Sequence, residues 1–416
     1  MTTDDFRPKT RLTLAAALLV FAFGVVPATT YHMNLWNLSA DGLSEISGRL
    51  PYRDFSNLWA GARMALDGHV ETLFDPDAYR ATLRAMFSPD LPDQEWSYPP
   101  SMLLVGAPLA LLPVLPAYLV WTFGTVFLLH LAIRPLRLPA LLHAAALASP
   151  AVLFNAMFGQ NGALTAALLI GGLLAVPKRP ILAGVLFGLL TAKPHLGILV
   201  PFCLIASRNW RAFGSAAVTA SALALATGVA FGFGVWPAFM SETRALMTAI
   251  MEAPYPQPYQ RNALTVFIMA RSFGAGLDVS YAAQAVATFA AIAAVTWLWM
   301  PSTPVDPRRR ALITATLALV ATPYGYTYDM IPTCVALAYL FATSARPLWP
   351  AYAIAWLFPL FAHLLNYRGI GIGVLVPISV AAALLAPTLA RRQGDPTWVN
   401  PDIRSERTRT VTSLPR

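Results

Sequence analysis

Apolar runs of roughly 15 to 22 residues, long enough to cross a bilayer, recur along the chain and are separated by short polar turns. The first covers about 12 to 31. It is longer than a signal-peptide core and no small-residue cleavage site follows it, so it reads as an anchor. Residues 32 to 97 form the one long polar stretch. Apolar segments then continue to about residue 388 and give way to a polar, basic tail over 389–416 that reads as disordered. The pattern predicts an all-α polytopic membrane protein of about 11 to 13 transmembrane or re-entrant helices with one large first loop. No fixed-period repeat, glycine-rich phosphate loop or strand–helix alternation accompanies it, which argues against a soluble nucleotide-binding domain.

Positive charges orient these spans. Arg7, Lys9 and Arg11 put residues 1–11 in the cytoplasm and 32–97 on the periplasmic side. Later inside markers are Arg134 with Arg137, Lys178 with Arg179, Arg208 with Arg211, Arg308 to Arg310, Arg346, and Arg391 with Arg392. Each neighbouring pair of markers encloses an even number of crossings. The turns at Gly159-Gln160-Asn161-Gly162, Lys193-Pro194-His195, Thr322 to Asp329 and Asn366-Tyr367-Arg368 therefore face outward with the first loop, as does the loop 234 to 262. Two segments resist the scheme. Between Tyr98 and Arg134 two apolar runs flank Leu112 to Pro116, and the first of them reads as re-entrant. The run 263 to 276, which carries Arg271, is short for a crossing.

Composition narrows the class. Hydrophobic residues make up 57% against 12% charged, with mean hydropathy +0.56, and 35 prolines with 25 glycines suit the looser helices of membrane transporters and enzymes. The net charge of +9 is dispersed between apolar segments, so it is a topology signal and implies no nucleic-acid partner. Cys203 and Cys334 lie inside apolar runs and suggest neither a disulfide frame nor a zinc site; no metal and no cofactor is expected.

An outward-facing transferase has no access to a cytosolic nucleotide sugar and would draw on a donor carried in the membrane. Moving a sugar from a phosphate to an alcohol requires a base for the acceptor hydroxyl and cations for the leaving phosphate, with no protein nucleophile if the anomeric centre inverts. Asp54, in Tyr52-Arg53-Asp54-Phe55-Ser56-Asn57-Leu58-Trp59, is the candidate base. An aspartate near its ordinary pKa of about 3.9 is a weak base, so burial among Phe55, Trp59 and Trp96 would have to raise it. The same residue also reads as the cap of a short amphipathic helix over 55 to 66 ended by Gly68, and capping would lower its pKa instead.

The only lysines are Lys9, Lys178 and Lys193. Lys193 interrupts an apolar stretch on the side where topology charges are not expected, which marks it for the phosphate or for snorkelling from a helix end. Arg261 is its expected partner in the clamp, with a guanidinium fork suited to phosphate oxygens, or else a rim charge. Tyr98, Gln160, Asn161, His195, Asn262, Tyr324 and Asp329 are candidates for sugar or acceptor contact. Each has a bland counterpart as a turn, a cap or an interhelical hydrogen bond. Asp75-Pro76-Asp77 spells the metal signature of many nucleotide-sugar enzymes but reads here as a proline turn on a solvated loop.

Several strings occur in the order of one family's landmarks: Asp54-Phe55, Ala60-Gly61-Ala62, Leu66-Asp67-Gly68 and Leu73-Phe74-Asp75, then Tyr98-Pro99-Pro100, Gly159-Gln160-Asn161, Lys193-Pro194, Gln260-Arg261-Asn262-Ala263-Leu264, Thr322-Pro323-Tyr324 and Tyr328-Asp329. Over about residues 12 to 390 the chain resembles glycosyltransferase family 87. The resemblance implies a C-type glycosyltransferase fold over 12–388 in the bacterial inner (plasma) membrane. It also implies a polyprenyl-phosphate sugar donor, most often mannose, a lipid or glycan acceptor among membrane lipids, no metal, and a first-loop aspartate as base, the role that falls on Asp54. The chain departs from the family's better-studied mannosyltransferases around Tyr324 to Asp329, where those carry histidine. A transporter or flippase of a lipid-linked substrate would share the hydropathy but would more often show inverted repeats, and a scaffold would need no converging polar turns.

Overall fold

The computed structural model describes residues 9–344 and 348–392; Arg7, Arg346 and the tail from 393 onward lie outside the described residues. The described chain is helical, with isolated bridges and no named strand. Its helices are α1 (Lys9–Asn34), α2 (Phe55–Leu66), α3 (Pro76–Met86), α4 (Met102–Ala110), α5 (Val114–Ile133), α6 (Ala140–Leu147), α7 (Pro150–Phe158), α8 (Gly162–Ala175), α9 (Pro180–Leu189), α10 (Val200–Ala206), α11 (Trp210–Phe231), α12 (Val235–Ala238), α13 (Arg244–Glu252), α14 (Val266–Ser272), α15 (Leu277–Trp299), α16 (Pro307–Ala321), α17 (Ile331–Thr343), α18 (Trp349–Tyr367) and α19 (Leu375–Arg392).

Four apolar helical stretches among the described residues are long enough to cross a membrane: Val114–Leu136, Ala140–Phe158, Trp210–Phe231 and Leu277–Trp299. On α11 and α15 the most exposed side chains include Val218, Leu225, Val229, Val286 and Phe289. An apolar exterior of this kind is matched by lipid rather than water, and the protein is a membrane protein. At the centre, α8, α16 and α17 are buried along most of their lengths. Their small residues admit neighbours: a Cβ added to Gly172 would lie 2.4 Å from the Phe187 ring.

The ambiguous segments resolve by length. Helix α4 has nine residues, about 14 Å at 1.5 Å per residue, and α14 has seven. Both fall far short of the ~30 Å hydrocarbon layer, as a re-entrant or interfacial segment does. The stretch 234 to 262, read from sequence as a plain loop, instead holds α12, a π-turn over Phe239–Thr243, α13 and a 3-10 turn over Pro258–Asn262.

The first loop folds as a small aromatic core over α4 and α5. Trp96, Tyr79 and Phe55 are fully buried there, and Gly61 leaves room for the Trp96 ring, which a Cβ would meet at 2.3 Å. Asp75 caps α3 by accepting from the backbone N–H of Asp77 and Ala78, with Pro76 at the first helical position. Arg80 bridges Glu95 at 2.6 Å, Arg84 bridges Asp93, and Arg63 bridges Asp67 at 2.6 Å. Asp67, Asp75, Asp93 and Glu95 are thus spent on a cap and on arginines.

Candidate active site

Four segments meet on one side of the helical body, and glycines set how closely they approach. Gly159 ends α7 in the left-handed region at φ +63, and a Cβ there would lie 2.4 Å from Phe55 Cβ and 2.6 Å from the Tyr52 carbonyl. Gly162 begins α8, and a Cβ there would lie 2.3 Å from the Tyr328 carbonyl. The Gly-Gln-Asn-Gly turn is therefore wedged between the first loop and the Tyr324–Asp329 turn. Trp121 Nε1 fixes it further by donating to the Gln160 carbonyl at 3.2 Å.

Asp54 occupies the position before α2, but its side chain caps nothing. Its backbone N–H donates to the Phe158 carbonyl at 3.0 Å, which turns the carboxylate toward the Gly-Gln-Asn-Gly turn, where Gln160 Nε2 donates to Oδ2 at 2.7 Å. Oδ1 receives no hydrogen bond from the described residues. The residue keeps partial solvent contact, yet the protein closes around the carboxyl, and burial raises its pKa above the ordinary aspartate value. The Gln160 hydrogen bond and the charges of Arg53 and Arg49 pull the other way without cancelling it.

Aromatic hydroxyls surround this group. Tyr98 donates to the Asp54 carbonyl at 3.4 Å. Burial first pushes up the phenol pKa values of Tyr98, Tyr259, Tyr326 and Tyr328; the Asp54 charge comes next for Tyr98 and Tyr259 and adds least for Tyr326 and Tyr328. Tyr326 stacks on Tyr328 at 5.5 Å and meets Tyr259 edge-on at 6.1 Å. Tyr259 nonetheless remains 45% exposed, so this wall faces an opening.

The expected phosphate clamp is not assembled as the sequence suggested. Lys193 Nζ donates to Asp329 Oδ1 at 2.6 Å in a buried ion pair and lies 5.2 Å from the Tyr328 ring centre. Asp329 Oδ2 meanwhile accepts the Tyr326 backbone N–H at 3.1 Å, tying down the turn. The charge of Lys193 is answered within the protein. A cavity about the size of one water lies behind the pair, lined by Thr165, Leu196, Leu319 and Asp329. Arg261 stands apart from the pair, its guanidinium 4.7 Å from the Tyr367 ring centre and its loop tied to α18 by Asn366 Nδ2, which donates to the Arg261 carbonyl at 2.8 Å.

The remaining candidates divide. Asn262 Oδ1 is 3.2 Å from His363 Nδ1. Asn161 is buried and His195 half-buried, and each has one buried polar atom, Oδ1 and Nε2, without a partner; the His195 ring lies 6.0 Å from that of Tyr324. It is Gln160, not His195, that orients Asp54.

Sequence reasoning passed over Arg53, the tyrosines 259, 326 and 328, and His363. For Arg53 a signal was present: it is a cation in a stretch that the charge pattern puts on the side where topology charges are not expected, one of the two features that singled out Lys193. Its backbone is left-handed at φ +40, its guanidinium lies 4.9 Å from the Phe158 ring centre, and burial lowers its pKa most.

The model of glycosyltransferase family 87 matches residues 96–323, while no curated protein and no solved structure matches the chain. The matched stretch contains Tyr98, Gln160, Lys193 and Arg261 and ends just before Tyr324; Asp54 precedes it. It covers more than half of the 416 residues, and the chain belongs to glycosyltransferase family 87.

Proposed function

We propose that this glycosyltransferase takes a hexose, most often mannose, from a polyprenyl phosphate on the periplasmic face of a bacterial inner membrane and gives it to a glycolipid or polysaccharide hydroxyl. The fold would be of the C type, with residues 1–11 and 389–416 in the cytoplasm and 12–388 forming the membrane-embedded domain. Asp54 is the base: the acceptor hydroxyl gives its proton to Oδ1 while its oxygen forms a bond to the anomeric carbon. The bond from that carbon to the phosphate oxygen breaks, and its electron pair leaves on polyprenyl phosphate, with inversion. Gln160 holds the carboxylate in place, and Arg261 lies in reach of the same opening. Lys193, already neutralised by Asp329, is left out of the phosphate contact.

The observation that carries the reading is the carboxylate of Asp54, held by Gln160 on one oxygen and free on the other, where four polar turns meet. The raised pKa suits a base better than an ordinary aspartate would. The test is incubation of purified protein with labelled polyprenyl-phosphate mannose and membrane lipid extract, followed by identification of labelled product. Transfer by the wild type and its loss in Asp54→Asn supports the enzyme. Label that crosses a vesicle membrane unchanged, with Asp54→Asn indifferent, supports a carrier.

A further inference from the structure

Among the cations that the charge pattern puts outward, Arg63, Arg80, Arg84 and Lys193 each meet a carboxylate within 4.0 Å. Arg53 and Arg261 meet none among the described residues, and in both the buried Nε has no hydrogen-bond partner. Arg53 is pressed on Phe158, and Arg49 adds a second positive charge near it. Arg53 and Arg261 act electrostatically on the same histidine, His363, which brings the two arginines to one region of the opening. Against them stands one acid, Asp54, which both Arg53 and Arg49 reach.

Keeping guanidinium groups covered and unmatched is costly, and a left-handed backbone at a non-glycine residue adds on the order of 1 kcal/mol of strain. Hydrophobic packing does not require either. An arginine stacked on an aromatic ring keeps its in-plane N–H groups directed away from that ring, the geometry that serves phosphate oxygens in a fork. Phe158 and Tyr367 each fix one guanidinium in this way.

We propose that Arg53 and Arg261, with Arg49 in support, form a binding site for a phosphate monoester or diester beside Asp54. Resting on the reading above, this names the cations that receive the leaving phosphate and makes Arg53 a specific ligand next to the base. An anion there completes the hydrogen bonding of both Nε groups and offsets the local positive charge. It also keeps the leaving group and the proton acceptor on adjacent residues, as a displacement at one carbon requires.

The test uses full-length protein in detergent, with undecaprenyl phosphate and inorganic phosphate as separate probes. Undecaprenyl phosphate is expected to bind the wild type and Asp54→Asn. Arg53→Gln and Arg261→Gln are each expected to weaken it about 10- to 100-fold, the loss of one charge-assisted contact. Arg53→Lys, which keeps the charge and guards against misfolding, should recover part of that loss. Unchanged binding in both glutamine variants overturns the site, even if the wild type transfers sugar. Inorganic phosphate binding as tightly as the lipid overturns a lipid headgroup as the occupant. If the binding losses appear but the wild type transfers no sugar, the proposed function fails while the phosphate site stands.

Discussion

Two charged regions lie on either side of the Gly159–Gly162 turn, which packs against both the first loop and the Tyr324–Asp329 turn, and they differ in what they leave unfinished. On one side Lys193 and Asp329 neutralise each other at 2.6 Å, and Asp329 also ties the Tyr326 backbone. On the other, Asp54 keeps one free oxygen and Arg53 and Arg261 keep unpartnered Nε groups. The first pattern is that of a strut, which fixes where the tyrosine turn sits. The second is that of a site awaiting a substrate. Both look alike in sequence, because each is a charge where a membrane protein should avoid one; only the partners separate them.

The largest effect should come from the unfinished side. Asp54→Asn keeps the Gln160 contact and the shape but removes the proton acceptor, and kcat is expected to fall about 10²- to 10⁴-fold. Binding of polyprenyl phosphate should hold or tighten, since a negative charge near the arginines is gone. A variant with wild-type turnover would make both sides struts.

On the finished side, Lys193→Met leaves the Asp329 carboxylate buried without its cation. The expected cost is about 3 to 5 kcal/mol, read as a lowered melting temperature in detergent. The double variant Lys193→Met with Asp329→Asn should regain most of that stability, and its KM for donor should stay near wild type. A double variant that folds normally but no longer binds donor would move Lys193 to the substrate side of the comparison.

The wedge that holds the two sides together is testable through Gly159. Gly159→Ala places a methyl against Phe55 and the Tyr52 carbonyl at a backbone angle that disfavours it. We expect about 1 to 3 kcal/mol of destabilisation and a drop in kcat, because Gln160 and the Asp54 loop are pushed apart. An equal change at Gly214, which has nothing within 4 Å, should leave both near wild type.

How much of this was legible beforehand follows from the kind of signal each feature gives. The helix over 55 to 66 and the short runs at α4 and α14 come from local hydropathy and length, and the sequence reading anticipates them. Asp54 was singled out by its place just beyond the first apolar run, in the string Tyr52 to Trp59. The Lys193–Asp329 pair was not, because its members are 136 positions apart and each has an innocent local reading. Arg53 was passed over, and only the structure shows its guanidinium over the Phe158 ring, on a backbone that is left-handed at φ +40. The Asp75-Pro76-Asp77 motif, read from sequence as a proline turn on a solvated loop, is instead the start of α3, with Asp75 as its cap and Pro76 at the first helical position.

The smallest effect tests how the two sides share control of one proton. Burial raises the Asp54 pKa and Gln160 lowers it by favouring the ionised form, so Gln160→Met should raise it further. The acid limb of kcat/KM, already above the ordinary aspartate range, should then move to still higher pH. The same shift has a consequence for stability. With a folded-state pKa above the unfolded one, the folded protein binds the proton more readily, so the contribution of Asp54 favours folding below the raised value and opposes it as pH rises through that window. Asp54→Asn should therefore melt higher than wild type at neutral pH, and the gain should shrink on acidification. A gain independent of pH would mean that the carboxylate is hydrated like a surface group, and the contrast between a filled strut and a strained, unfinished site would lose its energetic basis.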